Sequence, residues 1–135
     1  MKSYICSLVI NIDVVDLGYV RVHATIANPF KRNLQMELEF IVDTGAIYTV
    51  ISKKVAEGVE LKELGKRRFR TGSGIVELPV AEAYLTLEGE GVTTLVAITH
   101  DDGTPLLLGV TTLELLGLQV DPVNGNLKPL ELLIL

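Results

Sequence analysis

Asp43, Thr44 and Gly45 stand inside the run Glu37 to Ser52, ELEFIVDTGAIYTVIS. A carboxylate can take a proton from water or give one up, and a neighbouring hydroxyl can hydrogen-bond to hold it in place. Glycine admits a backbone approach that a Cβ would block. The setting sharpens the point. Asp is among the residues least favoured in strands and least often buried, and an uncompensated carboxylate among hydrophobes is expensive. Here Phe40, Ile41 and Val42 precede the triplet, and Ala46 and Ile47 follow it. An ordinary hairpin turn is the plain alternative, since Asp and Gly are turn residues. Surface turns are seldom apolar on both flanks, so the context favours chemistry.

Other reactive residues offer less. His100, Asp101 and Asp102 in THDDGTP have the right types for a metal. Three adjacent ligands do not readily converge on one ion, and an exposed Asp-Gly turn is the ordinary account. His23 lies in an alternating strand and reads as a surface or satisfied core residue. TGSG from Thr71 to Gly74 has the look of a phosphate cradle, but a strand and not a capped helix follows it. KRRFR from Lys66 to Arg70 is the one basic cluster, and a solvated edge strand whose charges discourage aggregation explains it. Nucleophilic triads fail on inventory, because Cys6 and the two histidines have no positioned partners.

The elements that must position Asp43 are mostly strands. In LQMELEFIV, Leu34, Met36, Leu38 and Phe40 face one way and Gln35, Glu37 and Glu39 the other, until both faces turn apolar at Ile41 and Val42. YVRVHATIAN, YTVIS, GIVELPVAEAYLTLEG and TTLVAITH are further strand candidates, separated by the turn signals NPFKRN, TGSG, EGEG and DDGTP. Strands at this spacing predict an antiparallel β-barrel or sandwich. TTLELLGL reads as a helix capped by Thr111 or Thr112, with Glu114 in its first turn and Gly117 ending it. A shorter helical turn is expected over Lys53 to Gly58. Asn124-Gly125 signals a two-residue hairpin, and the closing LELLIL is apolar enough that it must enter a sheet, its own or a partner's.

Bulk properties bound the rest. The chain has 135 residues, 48% of them hydrophobic and 21% charged, which suits one domain with a real core. A net charge of −5 argues against nucleic acid as the main partner. One cysteine permits no intramolecular disulfide and suits a reducing compartment. The opening MKSYICSLVINIDVV has one basic residue before its apolar stretch, polar interruptions at Asn11 and Asp13, and no small-residue cleavage site. It is also too short and polar to span a bilayer. The expectation is a cytoplasmic protein without membrane contact.

A second motif narrows the reading. PLLLGVTTLELLGL is an apolar strand, a glycine and then a helix. With Ile41-Val42-Asp43-Thr44-Gly45-Ala46 upstream and Leu107-Leu108-Gly109 downstream, the sequence resembles the retropepsin-like aspartic proteases, of the single-lobe prokaryotic or archaeal type. RRFRTGSGIVELPV between them looks like the family's flap, a glycine-tipped hairpin that closes over bound peptide. The resemblance runs from about Tyr19 to Leu135, leaving residues 1–18 as an N-terminal extension.

The resemblance implies an all-β fold, a closed β-barrel or sandwich with one short helix in its C-terminal half and one lobe per chain. It implies an endopeptidase with no metal and no cofactor, acting on a peptide or unfolded protein. Asp43 of each subunit of a homodimer would be catalytic, with Thr44 bonding to its twin across the two-fold axis and Gly45 offering its carbonyl to substrate. Ala46, Gly72, Ser73, Gly74, Ile75 and Val110 would bind substrate, and Val50 and Val80 are expected to add apolar subsites. One departure stands out. Retroviral members usually carry Asp two residues after the motif glycine and Arg after the later glycine, and this chain has Ile47 and Val110. Both halves of an ion pair are replaced together, so no buried charge is stranded. A catalytically silent, dimeric peptide-binding scaffold shares every contact of this reading. A β-barrel RNA or phosphate binder working through Arg67, Arg68 and Arg70 is the third alternative, recognisable by salt-sensitive binding.

Overall fold

The computed structural model describes residues 19–100 and 102–135. The expected N-terminal extension, Cys6 and Asp101 lie outside the described residues. Two long strands open the domain, β1 (Val20–Asn28) and β2 (Lys31–Val42). They pair antiparallel, with Val22 opposite Phe40 and Ile26 opposite Met36. Val20, Val22, Ala24 and Ile26 point into the core while His23 lies on the surface, as period-two alternation requires. The turn is fixed by Asn28: its amide donates to the Val59 and Glu60 carbonyls at 3.1 and 2.8 Å, and its oxygen accepts from the Phe30 and Lys31 N–H groups.

The chain continues through β3 (Thr49–Ser52), α1 (Lys53–Gly58), β4 (Glu63–Thr71), β5 (Gly74–Leu87) and β6 (Glu90–Thr99). Helix α1 starts where the sequence places it, because the Ser52 hydroxyl accepts the Val55 N–H. Between β5 and β6, Glu88 and Gly89 both take positive φ, which is the two-residue turn that matches strand twist. Then come β7 (Leu107–Leu108), α2 (Val110–Leu115), β8 (Leu118–Val120) and β9 (Leu127–Pro129).

The main sheet runs β1-β2-β7-β3-β6-β5-β4, and a second pairing of β5 with β1 closes it into a barrel. Among the described residues, closure leaves the main sheet one edge, β4, which pairs with β5 alone. The expected all-β barrel is therefore present, but it is not purely antiparallel: β2–β7 and β3–β6 run parallel. Alternation reports which face of a strand is buried and is silent on the direction of its neighbour. Phe40, Ile26, Ile51, Leu85, Leu108 and Leu113 are the largest fully buried apolar side chains. Among the described residues, no helix is long and apolar enough to cross a membrane.

Three local expectations are corrected. Helix α2 is capped by Gly109 and not by Thr111 or Thr112, and Glu114 falls outside its first turn. Gly117 does follow its end, at φ +71. Asn124-Gly125 sits in a six-residue loop between β8 and β9, not a two-residue hairpin. Asp121 organises that loop: its carboxylate accepts the Val123 N–H and its carbonyl the Gly125 N–H, at 2.9 and 2.8 Å. Among the described residues, residues 131–135 pair with no strand, and Leu133 and Ile134 are 82% and 91% exposed.

Candidate active site

Asp43 leaves the end of β2, yet the loop it opens is not a hairpin. Strands β2 and β3 do not pair; β7 is inserted between them, Val42 beside Leu108 on one side and Val50 beside Leu107 on the other. A hairpin turn therefore does not account for Asp43. The insertion supplies the loop's backbone partners. The Asp43 N–H donates to the Leu108 carbonyl at 3.0 Å, Val110 donates to Ala46 at 2.8 Å, and Thr111 donates to Ile47 at 3.2 Å. The expected apolar-glycine-helix segment thus grips the Asp-Thr-Gly segment on both sides of the carboxylate.

Asp43 is half-buried, while Thr44 and Gly45 are exposed. One carboxylate oxygen accepts the Gly45 N–H at 2.9 Å, and the Asp43 carbonyl accepts the Ala46 N–H at 3.0 Å. A Cβ on Gly45 would sit 3.2 Å from that same carboxylate oxygen, so glycine leaves the acid its room. Ile47 stands 58% exposed beside it.

Gly109 is the tightest point. A Cβ there would lie under 3.0 Å from the Tyr48 carbonyl group and the Thr49 nitrogen, which are backbone atoms of the neighbouring segment. Its N–H donates to the Thr49 hydroxyl at 3.0 Å, which lies 2.7 Å from the Thr112 hydroxyl, itself 2.9 Å from that of Thr94. All three threonines are buried. Sequence reasoning named Thr111 or Thr112 as the helix cap and missed this chain of hydroxyls. The available signal was a Thr in each of three apolar segments. Thr112→Val keeps the shape but deprives two buried hydroxyls of their shared partner. A loss of about 1–3 kcal/mol is expected, read as a lower urea midpoint.

The remaining expected residues fall into two groups. Ala46 and Val110 are joined by their hydrogen bond next to Asp43. Gly72, Ser73, Gly74 and Ile75 form the exposed tip of the β4–β5 hairpin, where Thr71 faces Gly74 and the Thr71 hydroxyl bonds the Gly74 carbonyl at 2.9 Å. Arm and loop meet further down, through Tyr48: its ring stands edge-on to Phe69 at 5.6 Å, and its hydroxyl accepts from Arg67 Nε at 3.4 Å. That contact was not foreseen. Val50 is half-buried, whereas Val80 is 1% exposed and has no surface for a subsite.

The sequence model of the family described as "gag-polyprotein putative aspartyl protease" matches residues 30–115, well over half of the chain and both motifs. The chain belongs to that family. Among solved structures it is similar to the EIAV protease complexed with the inhibitor HBY-793, with a TM-score of 0.60 over 80% of this chain and 95% of that one. At 16% identity that likeness establishes the fold, a retropepsin-like single lobe. A comparison with curated protein sequences found no match. Family and fold together make this an aspartyl-protease-type domain, in agreement with the reading of its two motifs.

Proposed function

We propose that the protein is an aspartic endopeptidase that works as a homodimer, with one Asp43 from each chain at the two-fold axis. The observation that carries this reading is the loop itself. A carboxylate is held by its backbone at the end of a core strand, within the family match, with its side chain partly open and bonded to a single neutral N–H.

The chain contains one Asp-Thr-Gly, and this chemistry needs two carboxylates sharing a proton. Like charges about 3 Å apart do not both ionise, so one acid stays protonated while the other is a base. Two copies related by a two-fold axis supply the pair. The ionised Asp43 takes a proton from water as the water attacks the scissile carbonyl. The protonated Asp43 polarises the carbonyl oxygen, and the proton passes to the leaving amine. Thr44 holds its twin across the axis, and Gly45 and Ala46 present backbone to an extended peptide. The β4–β5 hairpin acts as a flap, with Gly72, Ser73, Gly74 and Ile75 at its tip meeting the peptide and Val110 lining an apolar subsite beside Asp43. The exposed Ile47 and the apolar residues 132–135 are surface that a second copy covers, the terminal segment as a strand of an intersubunit sheet.

Specific activity on an unfolded protein substrate should therefore fall on dilution, in step with dissociation followed by sedimentation. Specific activity unchanged where the protein is monomeric would contradict the shared site.

A further inference from the structure

The β4–β5 arm has two unlike faces. Directly opposed residues of an antiparallel pair share a face, and the register sets Arg67 opposite Leu78 and Phe69 opposite Val76. Lys66, Arg68 and Arg70 lie opposite Pro79, Glu77 and Ile75 on the other face. The Tyr48 contacts of Phe69 and Arg67 identify the first face as the one turned toward the Asp43 loop. That face carries one cation among apolar groups, whereas the outer face carries three.

Arg67 is underused where it stands. Its hydrogen bond reaches a neutral phenol at 3.4 Å, long for this type. Among the described residues no carboxylate pairs with it, and the nearest arm acid in register, Glu77, lies on the opposite face. A guanidinium has five donors in a planar fork that fits a carboxylate two bonds at a time. Position 47, four residues from the catalytic acid and next to Tyr48, is isoleucine and adds no negative charge.

We infer that Arg67, presented beside Tyr48 on the loop-facing side of the arm, selects peptide substrates with an Asp or Glu side chain in the adjoining subsite. This rests on the endopeptidase reading and names its substrate class. Phe69, Val76 and Leu78 give the peptide apolar surface around the single charge, and Tyr48 holds the guanidinium in place until the carboxylate arrives. The outer cations strengthen the attraction at long range. A lone arginine among apolar groups suits one carboxylate on a peptide better than a polyanion backbone.

The test uses the full-length protein and a randomised peptide mixture, with cleaved sequences read by mass spectrometry, followed by matched peptides differing only as Glu or Gln at the enriched position. Wild type should favour Glu in kcat/KM by roughly three- to tenfold, the range for an ion pair between partly exposed and well-formed bidentate geometry. The preference should shrink as salt is raised. Arg67→Gln should bring the Glu-to-Gln ratio to about one, while Arg68→Gln on the outer face should keep it. Cleavage by wild type without acidic preference would overturn the subsite and leave the peptidase standing. An equal loss in Arg68→Gln would overturn it too, since the arm's general field would then be responsible. No cleavage of any peptide by wild type would overturn the peptidase reading and the subsite with it.

Discussion

Replacing Asp43 by asparagine is expected to abolish peptide hydrolysis and leave the fold intact. The two effects separate because Asp43 is tied to the fold mainly through its backbone, by the Leu108 and Ala46 contacts. Its side chain accepts one N–H, from Gly45, and an asparagine oxygen accepts that bond equally well. Neither an amide base nor an amide acid can replace the dyad, so activity should fall by roughly a thousandfold or more, within the span that general acid–base catalysis supplies. Thermal and urea midpoints should stay near those of wild type. Persisting cleavage by a folded Asp43→Asn protein would remove Asp43 from the mechanism. A folded, inactive wild type would instead favour a peptide-binding scaffold.

Gly109→Ala has the largest expected effect on stability. The added methyl would enter the backbone of Tyr48 and Thr49, not a side chain that can swing away. Moving that backbone separates β7 from β3 and breaks the bond from the Gly109 N–H to the Thr49 hydroxyl. Overpacking of side chains typically costs 1–3 kcal/mol, and a backbone clash belongs at or above the top, about 3 kcal/mol. Set against a typical domain stability of 5–15 kcal/mol, that should lower the urea midpoint sharply or leave little folded protein. An unchanged midpoint would mean that the close approach of β7 to the Tyr48 segment is not what seats the Asp43 loop.

Much of this site can be read without coordinates, for reasons tied to particular residues. Leu34, Met36, Leu38 and Phe40 alternate, so β2 and its buried face follow from the pleat. Ser52 ahead of Lys53 marks the start of α1, and Gly72 and Ser73 sit at the arm's tip as their types suggest. The two glycine motifs point to each other as partners. The parallel placement of β7 between β2 and β3 is different in kind, because a strand of two residues has no period to read. Thr112 was misassigned because a threonine before an apolar run looks like a cap, and only the fold brings Thr49 and Thr94 to its hydroxyl. The meeting of Tyr48 with Phe69 and Arg67 spans nineteen to twenty-one residues of chain and leaves no local trace. The terminal LELLIL was expected to join a sheet, its own or a partner's, and among the described residues it pairs with no strand.

The most direct test of the shared dyad is a mixing experiment. Wild-type and Asp43→Asn chains are combined at constant total concentration, allowed to exchange subunits, and assayed on an unfolded protein substrate between pH 3 and 8. If each site needs one Asp43 from each chain, activity follows the square of the wild-type fraction, and an equal mixture retains about one quarter of full activity. A linear fall to one half would show that each chain carries a complete site of its own, and would contradict the account.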